Sequence, residues 1–520
     1  MASHEADVCI VGSGVSGALV AAKLASEGKS VILLETGKQP DRMQAVGRMI
    51  SGQTPYQGSH RQPPSRSAGP DPFKDGLAYL VGGSTWHWVG TAMRLLPADF
   101  QMKTRFGVAV DWPFDYGHLS PFYDRAEVEL GVAGDTSSEP GRTKGYPLPA
   151  FPRSVVDQVM ARVGRKMGFT VRATPQARNS QPYRGRDRCC SSSTCHPVCP
   201  VAAKYDATRH LEIATGKGAR ILDESTATRV IVGADGRIER VVFRRPDRSG
   251  HEVQARWFVL ACNAFQIARL LLLSRTDALP DGVANSTGMV GRHLMDHAIT
   301  VATGLSPEPT FPGRGPRQTS HVADWSVTND RRTRSGFNLE ISNKQAYPRK
   351  LARDAIAKGM YGDELHEKVR RRTQHLLRIK ALLETLPDPN NRVTLDERSP
   401  DRFGDPGALH TYDVGEYTRS GARHARGILR HILEEAGCEE IGTGGWNGRG
   451  MHISGTARMG TDRRQSVVDP TLRSHDHPNL YIAGSATFPT IGMCNPTVTV
   501  AAMAIRLGDE LARVVGGSGA

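Results

Sequence analysis

The sequence predicts a mixed α/β fold that begins with a doubly wound parallel sheet. Residues 7–35 read as an apolar strand, a glycine turn, a helical segment and a second apolar strand, the pattern of a βαβ unit. Residues 225–245 hold two strand patterns on either side of Asp235-Gly236, which favours a hairpin. "NLYIAGSATFP" and the helical stretch after it repeat the order of strand, turn and helix. The chain is therefore expected to return to its first domain at its end.

The composition is that of an ordinary globular protein. Of the 520 residues, 38% are hydrophobic and 23% are charged, which allows a large core and more than one domain. There is no run of about eighteen apolar residues, so the chain is not expected to span a membrane by itself. The net charge of +14 comes from scattered basic residues without a nucleic-acid-binding motif, so we expect a solvated basic surface and no nucleic-acid partner.

The glycine turn of the first unit has the spacing of a dinucleotide-binding site. Gly12, Gly14 and Gly17 stand in the order G-x-G-x-x-G between the strand and the helix. Glycines there permit a tight turn, the close approach of a pyrophosphate, and the packing of helix against strand. Glu35 ends the second strand, where an acidic side chain can accept hydrogen bonds from ribose hydroxyls. The pattern predicts a Rossmann-like domain and leaves open whether it binds FAD or NAD.

The middle of the chain carries weaker patterns. Residues 52–72 are rich in Pro, Gly and Ser and are expected to be irregular. "WFVLACNAFQIARLLLLS", residues 257–274, predicts a strand, a turn and a helix. Residues 301–448 are mixed, with a charged helical stretch expected over residues 349–384 and strands after it.

Four of the eight cysteines lie close together in "CCSSSTCHPVCP", residues 189–200. A disulfide is disfavoured, because neighbouring cysteines rarely bridge and a long chain does not need the staple. Structural zinc usually takes two cysteine pairs separated by a longer loop. The C-x3-C-P ending is similar to the tail of a ferredoxin ligand run, and clustered soft thiolates suit iron. The spacing favours an iron–sulfur cluster, with zinc and a disulfide as the alternatives.

Several stretches, in the same order along the chain, resemble the glucose–methanol–choline (GMC) oxidoreductase family of FAD enzymes. They are "VGGSTWHWVGTAMR" (81–94), "LACNAFQIARLLLLS" (260–274), "VGRHLMDH" (290–297), "LPDPNNRVTL" (386–395), "HISGTARMG" (452–460) and "IAGSATFPTIGMCNPTVTVAAMAIRLGDEL" (482–511). The resemblance runs from residue 7 to about residue 515. It implies FAD as the cofactor, and a Rossmann-like FAD-binding domain interleaved with a substrate domain built on an antiparallel sheet.

The predicted domains are discontinuous in sequence. The FAD-binding domain is assigned residues 1–110, 200–300 and 452–520, and the substrate domain residues 111–199 and 301–451, with the cysteine-bearing segment at 189–199.

The resemblance also implies the catalytic residues. In the family an active-site histidine heads the H-x-x-G-T-x-x-M-G stretch, and a His or Asn follows 43 positions later; here these are His452 and Asn495. A neutral imidazole can take the hydroxyl proton of an alcohol while hydride leaves for the flavin. The Asn495 amide can stabilise the developing alkoxide by hydrogen bonding.

Flavin contacts are expected from the two signature segments. Besides Gly12, Gly14, Gly17 and Glu35, the predicted cofactor-binding residues are Gly82, Gly83, His87, Gly484, Ser485, Asn495 and Thr497. The setting of His87 in "STWHWVG" resembles the sugar-oxidising branch, where an equivalent histidine can bond covalently to the flavin. The alternative is a hydrogen-bonded packing histidine between Trp86 and Trp88.

The cysteine cluster is similar to that of the bacterial sugar dehydrogenases in this family. Their catalytic subunits act on glucose, gluconate, fructose or sorbitol and carry a [3Fe-4S] cluster on three cysteines. The resemblance implies Cys189, Cys195 and Cys199 as ligands, while a [4Fe-4S] cluster that also uses Cys190 stays open. It further implies a small subunit that bears the export signal and a multihaem cytochrome c subunit. These partners would bring the chain to the periplasmic face of the inner membrane, whereas acting alone it would be cytoplasmic.

The expected function is FAD-dependent oxidation of a hydroxyl of a sugar, sugar acid or polyol, with glucose and gluconate as first candidates. Electrons would leave through the iron–sulfur cluster to the cytochrome. Two alternatives stay open: a GMC oxidase that uses oxygen, and a non-catalytic electron-transfer flavoprotein. "GWNGRGM" (445–451) and "GFNLEISN" (336–343) are expected to wall the pocket. Arg449 could pair with a substrate carboxylate or be a surface residue.

Overall fold

Two large sheets, one mainly parallel and one antiparallel, form the framework of the protein. The computed structural model describes residues 2–53, 55–56, 64–73, 76–138, 142, 144–444 and 448–516. In these parts of the chain the strands are β1 (Ala2–Val11), β2 (Val31–Leu34), β3 (Ser65–Ala68), β4 (Val132–Gly134), β5 (Leu148–Pro149), β6 (Arg172–Ala173), β7 (Gln176–Ala177), β8 (Arg220–Leu222), β9 (Thr226–Val232), β10 (Ile238–Arg244), β11 (Gly250–Leu260), β12 (Ala298–Leu305), β13 (Gln318–Val322), β14 (Phe337–Ser342), β15 (Leu376–Leu383), β16 (Arg392–Asp396), β17 (Gly407–Thr411), β18 (Glu439–Thr443), β19 (Gly448–Arg449) and β20 (Leu480–Ile482). The helices are α1 (Val15–Ser26), α2 (Arg42–Ile50), α3 (Met102–Phe106), α4 (Tyr116–Leu130), α5 (Val155–Met167), α6 (Thr208–Gly216), α7 (Ala264–Leu273), α8 (Pro348–Ile356), α9 (Gly362–His375), α10 (Gly415–Glu435) and α11 (Thr497–Gly516).

The first sheet has the strand order β8-β2-β1-β11-β10-β9, and β20 also pairs with β11. Strands β8, β2, β1, β11 and β20 run parallel, while β9 and β10 form an antiparallel hairpin on β11. The predicted βαβ start and the hairpin around Asp235-Gly236 are therefore confirmed. The return of the chain to the first sheet is confirmed as well, because β20 and α11 come from its last part.

Glycines allow α1 to begin directly against the end of β1. A Cβ atom on Gly17 would lie 2.0 Å from the carbonyl oxygen of Gly12. Gly12 itself has a φ of +104°, and a Cβ there would lie 2.6 Å from the backbone nitrogen of Cys262. Both contacts are closer than any side chain tolerates, so these two positions require glycine. The sequence motif thus reports a packing constraint, and its part in binding a dinucleotide stays a prediction.

The second sheet has the order β18-β12-β15-β14-β13-β6, with β19 paired to β12, and all its neighbours are antiparallel. Helix α10 packs against β12, β15 and β18 and buries a stripe of small and apolar side chains there. The fold class predicted from the sequence is confirmed by these two sheets. The residue boundaries between the two domains stay a prediction, because strand pairing does not say where a domain ends.

Two local expectations were wrong. The stretch over residues 349–384 is helical only through α8 and α9, and its last part, Leu376–Leu383, is strand β15. Partly buried and buried side chains largely alternate along β15, as they do in a strand with one better-covered face. Within residues 52–72, Ser65–Ala68 pairs with β17 as strand β3, while residues 54 and 57–63 lie outside the described parts.

A buried ion-pair network connects the two parts of the fold. The Arg331 side chain is 0% exposed, and its guanidinium contacts Asp99 at 2.8 Å and Glu384 at 2.7 Å. Asp99 lies in a turn before α3, whereas Glu384 directly follows β15 of the second sheet. Tyr417 of α10 donates a further hydrogen bond of 2.8 Å to Glu384. The network has no access to water, so each charge depends on its partners.

We expect Arg331→Met to destabilise the protein strongly, because it leaves the carboxylates of Asp99 and Glu384 buried without their cation. The free energy of unfolding should fall by about 3–5 kcal/mol, measured by urea denaturation. The control is Arg423→Met, which removes an exposed ion pair with Glu416 and should cost about 0–1 kcal/mol. Equal losses in the two variants would contradict the role given to the buried network.

Candidate active site

A cavity of about 610 Å³ lies between the two sheets. The first sheet contributes the turn after β1 and the end of β2, and the second sheet contributes residues of β14 and β15. Of the residues predicted from sequence, those that line it are Gly12, Gly14, Glu35, Gly83, His87, His452, Gly484, Ser485, Asn495 and Thr497. The structure thus brings together residues from five separate stretches of the chain.

Two predicted cofactor residues have structural positions outside the cavity lining. Gly17 packs against Gly12, as described above. Gly82 has a φ of +92°, and a Cβ there would lie 2.8 Å from the indole nitrogen of Trp86. Both shape the turns that carry the lining residues.

The first-sheet side of the cavity fits the phosphates and ribose of a dinucleotide. Gly14 precedes α1, and a Cβ there would meet no atom within 4 Å, so the helix N-terminus is open to the cavity. The buried Glu35 carboxylate accepts hydrogen bonds from the Ser13 hydroxyl at 2.6 Å and the Gly37 amide at 2.9 Å. Burial raises the pKa of Glu35, and these hydrogen bonds oppose that rise. The arrangement matches the predicted dinucleotide site.

His452 and Asn495 face each other, with 3.2 Å between the Asn495 amide nitrogen and His452 Nε2. On the other side of the ring, His452 Nδ1 lies 2.9 Å from His297 Nδ1. The backbone amide of His452 donates to the Asp296 carboxylate at 2.7 Å. His297 and Asp296 belong to the "VGRHLMDH" stretch, whose part in holding His452 the sequence did not reveal.

The hydrogen bonds fix where the protons of the two histidines lie. His297 Nε2 is 3.0 Å from the carbonyl oxygen of Gly492, which can only accept, so Nε2 carries the proton. Burial lowers the pKa of His297 to about 4, so its Nδ1 is a bare acceptor at neutral pH. His452 Nδ1 must then donate to it. Burial, with the nearby His297 and Lys380, also lowers the pKa of His452 well below 6.5. His452 Nε2 is therefore the unprotonated nitrogen of the ring and accepts from the Asn495 amide.

Asp296, His297 and His452 are also close enough together to be considered as metal ligands. Their potential ligand atoms are already engaged: the two Nδ1 atoms bond to each other, and the carboxylate accepts from the backbone. Hydrogen bonding alone accounts for this group.

Glu340 and Lys380 form a charged pair on the second-sheet wall of the cavity. They are opposite each other on β14 and β15, and both line the cavity. Lys380 forms an ion pair with Oε2 of the wholly buried Glu340 carboxylate, and Oε1 has no hydrogen-bond partner in the described parts of the chain. Glu340 lies within "GFNLEISN", where a pocket wall was expected. Residues 445–447 and the side chain of Arg449 lie outside the described parts.

His87 connects the cavity to the cysteine loop. Its ring lies edge-on to that of His196, with 5.6 Å between the centroids, and its carbonyl is 2.7 Å from His196 Nδ1. Both histidines line the cavity. Burial lowers the pKa of His87 to about 3, so the ring is neutral. A covalent bond from His87 to the flavin stays a prediction.

All eight cysteines are free thiols, which excludes the disulfide interpretation in this structure. Cys195 and Cys199 are buried, Cys189 is partly buried and Cys190 is exposed. Burial is the main cause that raises the pKa of Cys189, and repulsion from Cys195 and Cys199 adds to it. The thiols of Cys189, Cys195 and Cys199 are therefore within electrostatic reach of one another.

A single zinc ion would need a tighter group. Zinc–sulfur bonds of about 2.3 Å place two sulfur ligands within about 4.6 Å of each other. Within the described residues, the group whose ligand atoms all lie within 4.8 Å is the Asp296 group, which contains no cysteine. Among the described residues, the thiols of Cys189, Cys195 and Cys199 do not form so tight a group.

Comparison with known proteins identifies the family. Residues 387–504 match the GMC oxidoreductase family model, and residues 7–281 match the model for FAD-dependent oxidoreductases. The chain is 37% identical to the fructose dehydrogenase large subunit of Gluconobacter japonicus, covering 97% of both chains. It is 30% identical to the 6'''-hydroxyparomomycin C oxidase of Streptomyces lividus, over 97% of this chain and 91% of the relative. It is 24% identical to the gluconate 2-dehydrogenase flavoprotein of Pantoea cypripedii, over 96% and 92%.

The solved structures agree with this assignment at the level of the fold. Pyridoxine 4-oxidase from Mesorbium loti superposes with a TM-score of 0.68 at 19% identity, covering 98% of this chain and 99% of that one. The two-sheet fold, the dinucleotide cradle and the relatives together lead to one conclusion: the chain belongs to the GMC oxidoreductase family and is an FAD-dependent oxidoreductase that acts on CH–OH groups.

Proposed function

We propose that this protein is a dehydrogenase that oxidises a hydroxyl of a sugar, sugar acid or polyol and passes the electrons on through an iron–sulfur cluster. The observation that carries the oxidation step is the hydrogen-bond chain from Gly492 through His297 to His452. It leaves His452 Nε2 as a bare nitrogen at the cavity, next to the Asn495 amide.

The residues divide the work of alcohol oxidation. FAD bound in the cavity supplies the acceptor for the hydride that leaves the carbon. His452 Nε2 takes the hydroxyl proton, so that one proton and one hydride account for the two hydrogens removed. The Asn495 amide donates to the oxygen as negative charge develops on it. His297 holds the ring of His452 in the tautomer that the reaction requires.

Glu340 and Lys380 support a donor with several hydroxyl groups. The open Oε1 of this buried carboxylate can accept hydrogen bonds from the hydroxyls of one substrate. Lys380 pairs with Oε2 and can itself donate to a hydroxyl. Because the relative of 37% identity is a fructose dehydrogenase large subunit, fructose joins glucose and gluconate as the first donors to be assayed.

The electron path is assigned to Cys189, Cys195 and Cys199 as ligands of a [3Fe-4S] cluster, with Cys190 outside it. The proximity of the three thiols and the exposure of Cys190 support this set. A cluster next to the cavity would pass the electrons of the reduced flavin singly to an external acceptor. Such a path favours a dehydrogenase, since an oxidase delivers its electrons directly to oxygen. No described helix is both long and apolar enough to cross a membrane. Because a relative of 37% identity is named as a large subunit, a small subunit bearing the export signal and a cytochrome c subunit are proposed as the partners that hold the chain at the periplasmic face.

An oxidase that delivers electrons to oxygen is the second candidate. It is favoured by the 30% identity to an enzyme named as an oxidase. The two candidates differ in one measurement: an oxidase forms hydrogen peroxide from sugar and oxygen at the rate at which it otherwise reduces dyes, and a dehydrogenase does not.

The acid limb of the pH profile should lie well below pH 6.5. His452 must be neutral to accept the proton, and burial places its folded-state pKa below the ordinary value. Activity is therefore present at neutral pH and is lost only as the pH falls through that lowered pKa. The measurement is kcat/KM for dye reduction from about pH 4 to about pH 8, a range that brackets the ordinary pKa of histidine. An acid limb centred at 6.5 or above would contradict a buried neutral base.

Substitutions in the cavity should separate chemistry from substrate binding. His452→Ala should abolish dye reduction with every donor while flavin content stays unchanged. Glu340→Gln should raise KM for the sugar about tenfold, which corresponds to about 1.4 kcal/mol, with a smaller change in kcat. His118→Ala and Glu416→Gln, at exposed positions, are the matched controls. A His452→Ala enzyme that still turns over would exclude His452 as the base, and an unchanged KM in Glu340→Gln would remove Glu340 from the substrate site.

The neighbouring cysteines Cys189 and Cys190 should respond differently to substitution. Cys189→Ser should lose most of the iron and the EPR signal of the oxidised cluster, because it removes one ligand. Cys190→Ser, next to it and exposed, should keep both. Iron analysis and anaerobic EPR of the two purified variants give the answer. Loss of the cluster in Cys190→Ser would instead favour a four-cysteine [4Fe-4S] cluster, and a wild-type protein without iron would contradict the proposed electron path.

A further inference from the structure

Three basic side chains are buried around the cysteine loop. Arg178 is 0% exposed, Lys204 is 1% exposed and Arg186 is 6% exposed. Arg178 and Lys204 pair through their backbones in an isolated β-bridge. Asn179, which follows Arg178, accepts at its carbonyl from the amide of Cys189 at 2.9 Å. The cations and the cysteines are therefore parts of one compact unit.

These cations lack the acidic partners that buried charges normally have. Arg178 donates to the Val89 carbonyl at 2.8 Å, but its Nε and Nη1 atoms are buried and have no hydrogen-bond partner among the described residues. Arg186 donates to the carbonyls of Ala203 and Leu130.

Lys204 is bonded only to neutral groups. Its ammonium lies 2.7 to 3.3 Å from four backbone carbonyl oxygens, those of Thr85, Trp86, Trp88 and Cys195. Asp206, two residues along the chain, already pairs with Arg42 at 2.6 Å. Within the described parts of the chain, these buried basic groups therefore have no acidic partner of their own, which is unfavourable unless an anion is added.

The cysteine loop lies directly against these cations. The Lys204 ammonium is 3.0 Å from the carbonyl oxygen of Cys195. Arg178 is the bridge partner of Lys204, and Asn179, which follows Arg178, accepts from the amide of Cys189. The buried cations are thus in contact with the segments that carry the thiols, while Cys190 is exposed to water.

We infer that Arg178 and Lys204 are fixed counter-charges for an anionic, thiolate-bound iron–sulfur cluster, and that they raise its reduction potential. The inference rests on the cluster of the proposed function. Three thiolates bring three negative charges and an oxidised three-iron core returns one positive charge, so the net charge of the group is offset by two cations. Reduction adds one electron and no proton to the group, and buried positive charge stabilises the more negative state.

Lys204 also connects the cysteine loop to the cavity wall. Its ammonium joins the carbonyls of Thr85, Trp86 and Trp88, on the segment that carries the cavity residue His87, to the carbonyl of Cys195. The same cation therefore holds the cysteine loop against the cavity wall. An electron that leaves the cavity for the cluster is drawn toward positive charge.

The test is an EPR-monitored redox titration of the full chain loaded with flavin and iron, with a chemical reductant as the electron source. Arg178→Gln should shift the midpoint potential of the cluster to more negative values. Arg178→Lys, which keeps the charge, should bring the midpoint potential most of the way back to that of wild type. The matched control is Arg188→Gln, which removes the same charge one residue from Cys189 but at an exposed position. It should leave the midpoint potential unchanged.

The outcomes separate this inference from the proposed function. Wild-type protein without iron would contradict the cluster itself. If iron is present but wild type, Arg178→Gln and Arg188→Gln have equal midpoint potentials, the counter-charge role is overturned. The proposal of a cluster is then unaffected. If Arg178→Gln retains flavin but loses iron and Arg178→Lys regains it, the role is supported. If Arg178→Gln does not fold, the titration of Lys204→Gln decides: a more negative potential supports the inference, and an unchanged potential overturns it.

Discussion

A carbonyl oxygen cannot donate a hydrogen bond, and the chemistry of the active site depends on that property at Gly492. His297 donates its Nε2 proton to the Gly492 carbonyl, which leaves its Nδ1 as an acceptor. His452 Nδ1 therefore donates to His297 Nδ1. The lone pair of His452 is thereby placed on Nε2, which accepts from the Asn495 amide. Burial keeps both rings neutral, so the Gly492 carbonyl, acting through His297, determines which nitrogen of His452 carries the proton.

The cavity exists because two sheets with different roles meet there. The parallel sheet contributes backbone: glycines that bring a helix N-terminus to the cavity, and a buried carboxylate at the end of β2. The antiparallel sheet contributes side chains, since opposite residues on neighbouring strands place Glu340 beside Lys380. A polar cofactor and a polar substrate can thus be held from opposite walls. The buried network around Arg331 keeps the two parts of the fold in contact.

The cysteine loop illustrates how a segment without regular structure can be held firmly. Arg42 donates to the carbonyl of Cys199, His196 bonds to the carbonyl of His87, and Lys204 bonds to that of Cys195. Two of these contacts use the backbone of the loop and the third uses the His196 side chain, so none of the three involves a thiol. The loop is therefore positioned before any metal is considered, and buried basic residues surround it. In a neutral or acidic setting the same thiols would be far less suited to carry a group with a net negative charge.

The sequence by itself determined the features that depend on local spacing. The G-x-G-x-x-G turn, Glu35 and the hairpin at Asp235-Gly236 follow from strand and helix periodicity and from backbone demands that only glycine meets. The resemblance carried by the ordered motifs gave the family, and the predicted pair His452 and Asn495 does come together in the cavity.

Only the tertiary structure decided which distant groups meet. Glu340 faces Lys380 through strand pairing across 40 positions, and that pairing also turned the expected helix over residues 376–383 into a strand. His297 contacts His452 across 155 positions. No sequence spacing indicates that buried basic residues lie beside the cysteine loop. Electrostatics and side-chain pairing act between groups that are close in space, whatever their separation along the chain. For that reason periodicity reveals the framework, and only the folded chain reveals the charges and proton positions of the site.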